Sequence, residues 1–293
     1  MRWQGGRQSS NIDDRRGAPS RGGGISFGGR GPKLPLSVGG AVIAVVLLLL
    51  GVSPMQVVSL FTGGAMPVEE SGPPTPAPAN DELARFVSVV LADTEDTFTR
   101  LFQAQQRTYN PPTLVLFTGE VQSACGSQSS AVGPFYCPGD SDVYIDLGFF
   151  DELHRMGAPG DFAQAYVIAH EVGHHLQNEL GTSRQVHSQR ARASETEANE
   201  LSVRQELQAD CYAGVWGHFA RNSANIQLEP GDLEEGLRAA NEIGDDTLQR
   251  EAGRRVQPDS FTHGTSEQRM RWFRTGFDSG SLAACDTFSA ATL

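Results

Sequence analysis

The sequence predicts an α+β domain, a small sheet packed with site-bearing helices, carried behind a single N-terminal transmembrane helix. Three observations predict it. A long apolar run follows a basic N-terminus, two short β-rich runs lie among longer helical patterns, and His170-Glu-Val-Gly-His174 sits inside a segment written as a helix.

Charge divides the chain. Residues 1–34 carry a net charge of +5, which leaves −17 on the remainder of a chain whose total is −12. An acidic remainder argues against nucleic acid as a partner. Residues 1–33 read as a Gly/Arg-rich disordered cytoplasmic tail with at most weak attraction for anionic lipid heads. Residues 34–61 read as a transmembrane anchor: Leu36–Val52 is the most apolar section, short for a bilayer span, and Ser53–Phe61 lengthens it. The positive-inside rule then leaves the N-terminus in the cytoplasm and carries residues 62–293 across the cell membrane in a single pass. A cleaved signal peptide is the competing reading. The long Gly/Arg-rich flank and the length of the apolar run favour the anchor, and both readings export the acidic part.

Residues 62–80 form a Pro-rich linker, and the folded domain spans 81–293. From Asp81 to Arg107, Leu83, Phe86, Val87, Val90, Leu91, Phe98, Leu101 and Phe102 recur at helical spacing as a core-facing stripe, ended by Pro111-Pro112. Thr113–Phe117 and Val143–Leu147 are β-rich runs bounded by turn residues, strands of one sheet. Four cysteines suit an oxidising compartment, which would pair them in one of three connectivities. Cys125 with Cys137 is favoured because it closes a short Ser/Gly-rich loop, leaving Cys211 for Cys285. A thiolate zinc site is the alternative, but there is no Cys-x-x-Cys to support it.

In the helix that follows, Tyr166, Val167, Ala169, Val172, Gly173 and Leu176 supply small and apolar positions, and Asp161 is a candidate cap. A spacing of four stacks His170 and His174 on one face, where two imidazoles can hold one zinc ion and Glu171 stands beside the water it activates. This is the layout of a zinc-dependent hydrolase; a surface helix with two solvated histidines is the plain alternative. A third protein ligand is required. The metzincin pattern would need glycine and histidine where Gln177 and Leu180 stand, so that class is excluded. The next long helical pattern, Ser194 to about Ala220, places Glu206 and Asp210 on one face with Ala213 and Gly217. Burying two carboxylates is costly unless a cation answers them. Zinc on His170 and His174 would answer them, with Glu206 as third ligand and Asp210 orienting a ligand imidazole. Taken alone, the pair could equally belong to the solvated face of an acidic protein, as Glu195, Glu197 and Glu200 do. The ligand set argues for zinc without excluding manganese or cobalt.

These two helices resemble the gluzincin pattern. Ser123–Gly126, Gly133–Pro138, Val143–Leu147, Gln205–Cys211, His263–Arg269 and Cys285–Phe288 are further similar to the neutral zinc metallopeptidase family of bacteria, over about residues 81–290. The resemblance implies a zincin-like metallopeptidase fold, one zinc per chain and a membrane-tethered bacterial protein. It also makes Val143–Leu147 a candidate edge strand for pairing with an extended substrate, although its alternation suits a core strand equally. His263 and Tyr212 are the candidate oxyanion donors; His263 precedes a helix cap at Thr265–Gln268 and could be structural instead. His154, His175, His187 and His218 are read as structural or solvent-facing. The expected function is hydrolysis of peptide bonds in peptide or protein substrates outside the cytoplasm. Two alternatives stand beside it: a catalytically silent zinc-stabilised scaffold of the cell envelope, and a zinc amidase acting on cell wall.

Overall fold

A computed structural model describes residues 1–17, 75 and 77–293. Met1–Ala18 and Pro74–Leu293 belong to one compact unit. Its main sheet has the order β1-β2-β6-β5, built from β1 (Ile12–Asp14), β2 (Leu114–Phe117), β6 (Asp142–Asp146) and β5 (Phe135–Cys137). β1, β2 and β6 run parallel and β5 is antiparallel to β6. All four residues of β2 are buried, the pattern of a strand covered on both faces. The Val143–Leu147 run therefore lies in β6, inside the sheet between β2 and β5, and the edge strands are β1 and β5, which corrects the expected edge strand. A second sheet is the hairpin of β3 (Glu120–Ser123) and β4 (Gly126–Ser129).

Eight α-helices complete the described residues: α1 (Glu82–Ala104), α2 (Phe149–Arg155), α3 (Asp161–Leu180), α4 (Thr182–Arg190), α5 (Glu195–Ala220), α6 (Asp232–Glu242), α7 (Asp245–Glu251) and α8 (Ser266–Ser279). Asp81 caps α1 by accepting from the Ala84 amide, and capping boxes start α5 (Ser194 with Glu197) and α8 (Thr265 with Gln268). Asp161 does not cap α3. Gly160 holds the cap position, and the Asp161 carboxylate, in the first turn, takes the Met1 ammonium at 2.9 Å.

Both disulfides form as expected, Cys125–Cys137 and Cys211–Cys285. The second is wholly buried and ties the C-terminal segment to α5, whereas Cys125 is exposed at the tip of the β3–β4 hairpin.

The largest correction concerns the N-terminus. Residues 1–17 were expected as part of a disordered tail, yet they pack on the domain. Trp3 is 7% exposed and meets Phe86 edge-on at 5.4 Å, while Arg7 pairs with Glu95 and Asp96 of α1. Ile12–Asp14 then adds β1 to the sheet beside β2. This second layer explains why α1 buries Ser88 and Glu95 as well as its apolar stripe, for Ser88 donates to the Ser9 carbonyl and Glu95 accepts from Ser9 and Asn11. Thr75 and Asp81 adjoin the same segment, for the Asp14 amide donates to the Thr75 carbonyl at 2.7 Å and Arg16 pairs with Asp81 at 2.7 Å. A single membrane crossing separates its flanks by hydrocarbon about 30 Å thick. Flanks joined by hydrogen bonds do not fit that arrangement, so the fold is an α+β body that includes its own N-terminus, not a domain behind a single-pass helix. No helix among the described residues is long and apolar enough to cross a membrane, and the apolar run at 34–61 lies outside them.

Candidate metal centre

Helix α3 reaches α5 because Gly173, inside the His-Glu-x-x-His stretch, has no side chain. A Cβ there would stand 2.8 Å from the Ala209 carbonyl oxygen. That close crossing sets Glu206 against the two histidines. Its Oε2 lies 3.2 Å from His170 Nε2 and 3.4 Å from His174 Nε2, and the imidazoles are perpendicular with centroids 4.8 Å apart. One donor atom from each of His170, His174 and Glu206 falls within 4.8 Å of the others.

The outward nitrogens are already committed. His170 Nδ1 lies 2.8 Å from Asp210 Oδ1, and His174 Nδ1 lies 2.9 Å from Gln177 Oε1. Both Nε2 atoms are thereby aimed at Glu206 and the cleft. Two imidazoles and one carboxylate, each held from behind, fit zinc with a coordination position left open.

Asp210 is fully buried and is answered by Arg269, whose Nε and Nη2 donate to its two oxygens at 2.9 Å each; the Tyr166 hydroxyl donates to it as well. Burial raises the carboxyl pKa of Asp210, but the charges of Arg269 and His170 outweigh that and bring it to about 2. Burial likewise opposes the charged form of His170, yet Asp210 and Glu206 push its pKa up to about 10. Arg269 can reach Asp210 because α5 and α8 touch backbone to backbone, Gly214 against Phe273 and Gly276 against Cys211.

His170, His174, Glu206, Tyr166 and Arg269 line a cleft of about 900 Å³ together with Glu171 and His263. Glu171 is 7% exposed, and its carboxylate has no hydrogen-bond partner among the described residues. His263 is exposed on the rim with Nδ1 3.3 Å from Asp245 Oδ1, while Asp245 also accepts from the backbone amides of Thr262, His263 and Gly264. The hydrogen bond to Asp245 raises the His263 pKa against the opposing effect of burial. Tyr212 is not at the cleft. It lies 4% exposed in the core, which removes the geometric basis for its candidacy as an oxyanion donor.

His175 is buried between Tyr109 and Tyr136, where Nδ1 meets the Tyr136 hydroxyl and Nε2 the Asn110 carbonyl. It fastens α3 to β5. A second cluster of potential ligands, Asp161, Asp232 and Glu235, adjoins the Met1 ammonium, which pairs with Asp161 and Asp232. Sequence reasoning gave Arg269, Tyr166, Gln177 and Asp245 no role at the metal centre. Only Arg269 left a signal, as a cation on the same helical face as Phe273, Gly276 and Phe277.

Fold and site together define a zincin-type centre: a His-Glu-x-x-His helix crossed by a second helix bearing Glu-x-x-x-Asp. The chain belongs to the family described as "Putative neutral zinc metallopeptidase", whose model matches residues 1–288. Among its relatives is the protein named "Uncharacterized protein YpfJ" of Escherichia coli K12, 50% identical over 98% of this chain and 99% of that one. "Uncharacterized protein Mb2605" of Mycobacterium bovis and "Uncharacterized protein Rv2575" of Mycobacterium tuberculosis are each 41% identical over 71% of this chain and 73% of theirs. No solved structure matches the chain.

Proposed function

We propose that this protein is a peptidase with one zinc per chain, held by His170, His174 and Glu206, and with Glu171 as its general base. The observation that carries the proposal is the three-donor set with its outer nitrogens already occupied, opening onto a cleft that also presents Glu171. Zinc bound there would polarise the scissile carbonyl and bring the pKa of water toward about 7. Glu171 would then take the proton from the attacking water and pass it to the leaving amine. His263, steered by Asp245, would donate to the oxyanion of the tetrahedral intermediate. The outer edge of β5, at Phe135 and Tyr136 along the cleft, would pair with an extended substrate by strand addition. We place the folded body in an oxidising compartment outside the cytoplasm, supported by its two disulfides.

The test is cleavage of a diverse peptide pool by the zinc-loaded full chain beside a Glu171→Gln variant shown to bind equal metal. Cutting by the first and none by the second is the expected result. Equal cutting by both would remove Glu171 as base. No cutting by either, with one zinc bound in each, would move the scaffold and cell-wall readings ahead.

A further inference from the structure

Two buried glutamines stand behind the metal ligands. Gln177 on α3 and Gln208 on α5 are 0% and 6% exposed, and an amide sealed from water is costly unless its polar groups find partners. Gln177 Nε2 donates to the Gln205 carbonyl at 2.6 Å and to Gln208 Oε1 at 3.2 Å, and Gln208 Nε2 donates to the Cys285 carbonyl at 2.9 Å. A backbone carbonyl can only accept, so these contacts settle which end of each amide is nitrogen. The row of bonds therefore has one direction. Gln177 turns its oxygen to His174 Nδ1 at 2.9 Å, that nitrogen carries the proton, and His174 Nε2 keeps its lone pair for the cleft.

The far end of the row is pinned as well. Cys285 is bridged to Cys211 of α5, and the buried Thr287 hydroxyl donates to the Arg204 carbonyl at 2.6 Å, while the Arg204 guanidinium donates to the Ala290 carbonyl at 3.2 Å. The two ligand imidazoles are thus held differently. His170 faces a carboxylate, which can only accept from it, whereas a neutral amide could turn either end toward His174 and its anchors decide which. Gln205 takes one amide hydrogen of Gln177 and Gln208 the other, and with both taken the amide has no reason to rotate away.

Resting on the metal site of the reading above and not on its peptidase chemistry, we propose that Gln208 is a positioning residue of the metal centre. Anchored on the Cys285 carbonyl, it acts through Gln177 to hold His174 in the orientation and tautomer that present Nε2. The C-terminal segment around Cys285 is in this sense part of the metal centre.

The experiment measures zinc affinity of the full chain by competition with a chelator in Gln177→Met, Gln208→Met and the double variant, with the Tm of each zinc-free chain as the check on folding. Gln177→Met should lose about 10–100-fold, the range for removing a partner behind a metal-bound imidazole. Gln208→Met should lose several-fold, and in the Gln177→Met background the same change should lose nothing more, because its route to the metal is already cut. A residue that only packs the core would cost the same in both backgrounds. Unchanged affinity in Gln208→Met, or equal losses in the two backgrounds, overturns the proposal. If a variant fails to fold, the native zinc-loaded chain still decides: nitrogen NMR of the imidazoles should find His174 protonated at Nδ1 and metal-bound at Nε2, and the reverse overturns the proposal. Failure of the larger reading looks different. A native chain with no zinc affinity removes the metal site and this role with it, whereas bound zinc, the expected coupling and no cut peptide remove the peptidase alone and leave Gln208 in its place.

Discussion

Asp210 and Arg269 are a buried ion pair that faces a ligand imidazole, so each should fail in its own way when changed. Replacing Asp210 by Asn keeps the shape but weakens the hold on His170 Nδ1, and zinc affinity should fall by about 10–100-fold in competition with a chelator. Arg269→Met leaves a fully buried carboxylate without its cation, which should cost about 3–5 kcal/mol in urea unfolding. His263 gives a prediction of a different kind. Because Asp245 raises its pKa, the proton-donating form persists above the ordinary imidazole range, and kcat/KM should fall only as pH rises through that raised value. Asp245→Asn should move this alkaline limb to lower pH; a limb that stays in place would show that His263 does not act in the reaction. At this scale the histidines and the Glu206/Asp210 pair were legible because a spacing of four on a helix is a statement about one face. Arg269 was not, since its partner lies 59 residues away and only the helix crossing brings them together.

Helix α3 meets α5 at Gly173, so Gly173→Ala tests the crossing directly. The added methyl would meet the Ala209 backbone, separate the helices and carry Glu206 away from the histidines. Loss of zinc affinity together with a lowered Tm is expected; an unchanged affinity would show that the crossing has slack. The two disulfides should also part company. Reductant should open Cys125–Cys137 first because Cys125 is exposed, whereas Cys211–Cys285 is sealed in the core. Across its sequence separation of 74, the buried bridge should contribute about 4 kcal/mol by chain entropy, read as the loss in Cys285→Ser. Strand order was the element-level feature that the pattern of residues concealed. Val143–Leu147 and Thr113–Phe117 announce strands by composition, but which strand is outermost depends on Phe135–Cys137, a three-residue strand too short to show a period.

Over the whole molecule, the N-terminal segment shows where composition misleads. Its arginines and glycines describe a solvated tail, and Trp3 and Ile12 are too few to make a periodic signal, yet both are core residues. The family match beginning at residue 1 agrees with a segment that belongs to the body. Trp3→Ala should cost about 3–5 kcal/mol, a fall in Tm of roughly 10 °C by calorimetry; a surface tail would lose nothing measurable. The backbone bond between Asp14 and Thr75 has one more consequence. Asp14 and Thr75 stand side by side on the body, so in genetic terms the residues between them in sequence are a cassette. Loop-closure entropy rises only with the logarithm of length, and such a cassette can be lengthened, exchanged or excised at little cost to the framework that holds its ends. A short Gly/Ser bridge in its place should leave the unfolding temperature and zinc stoichiometry of the body nearly as they were, separating the metal chemistry from whatever the cassette does.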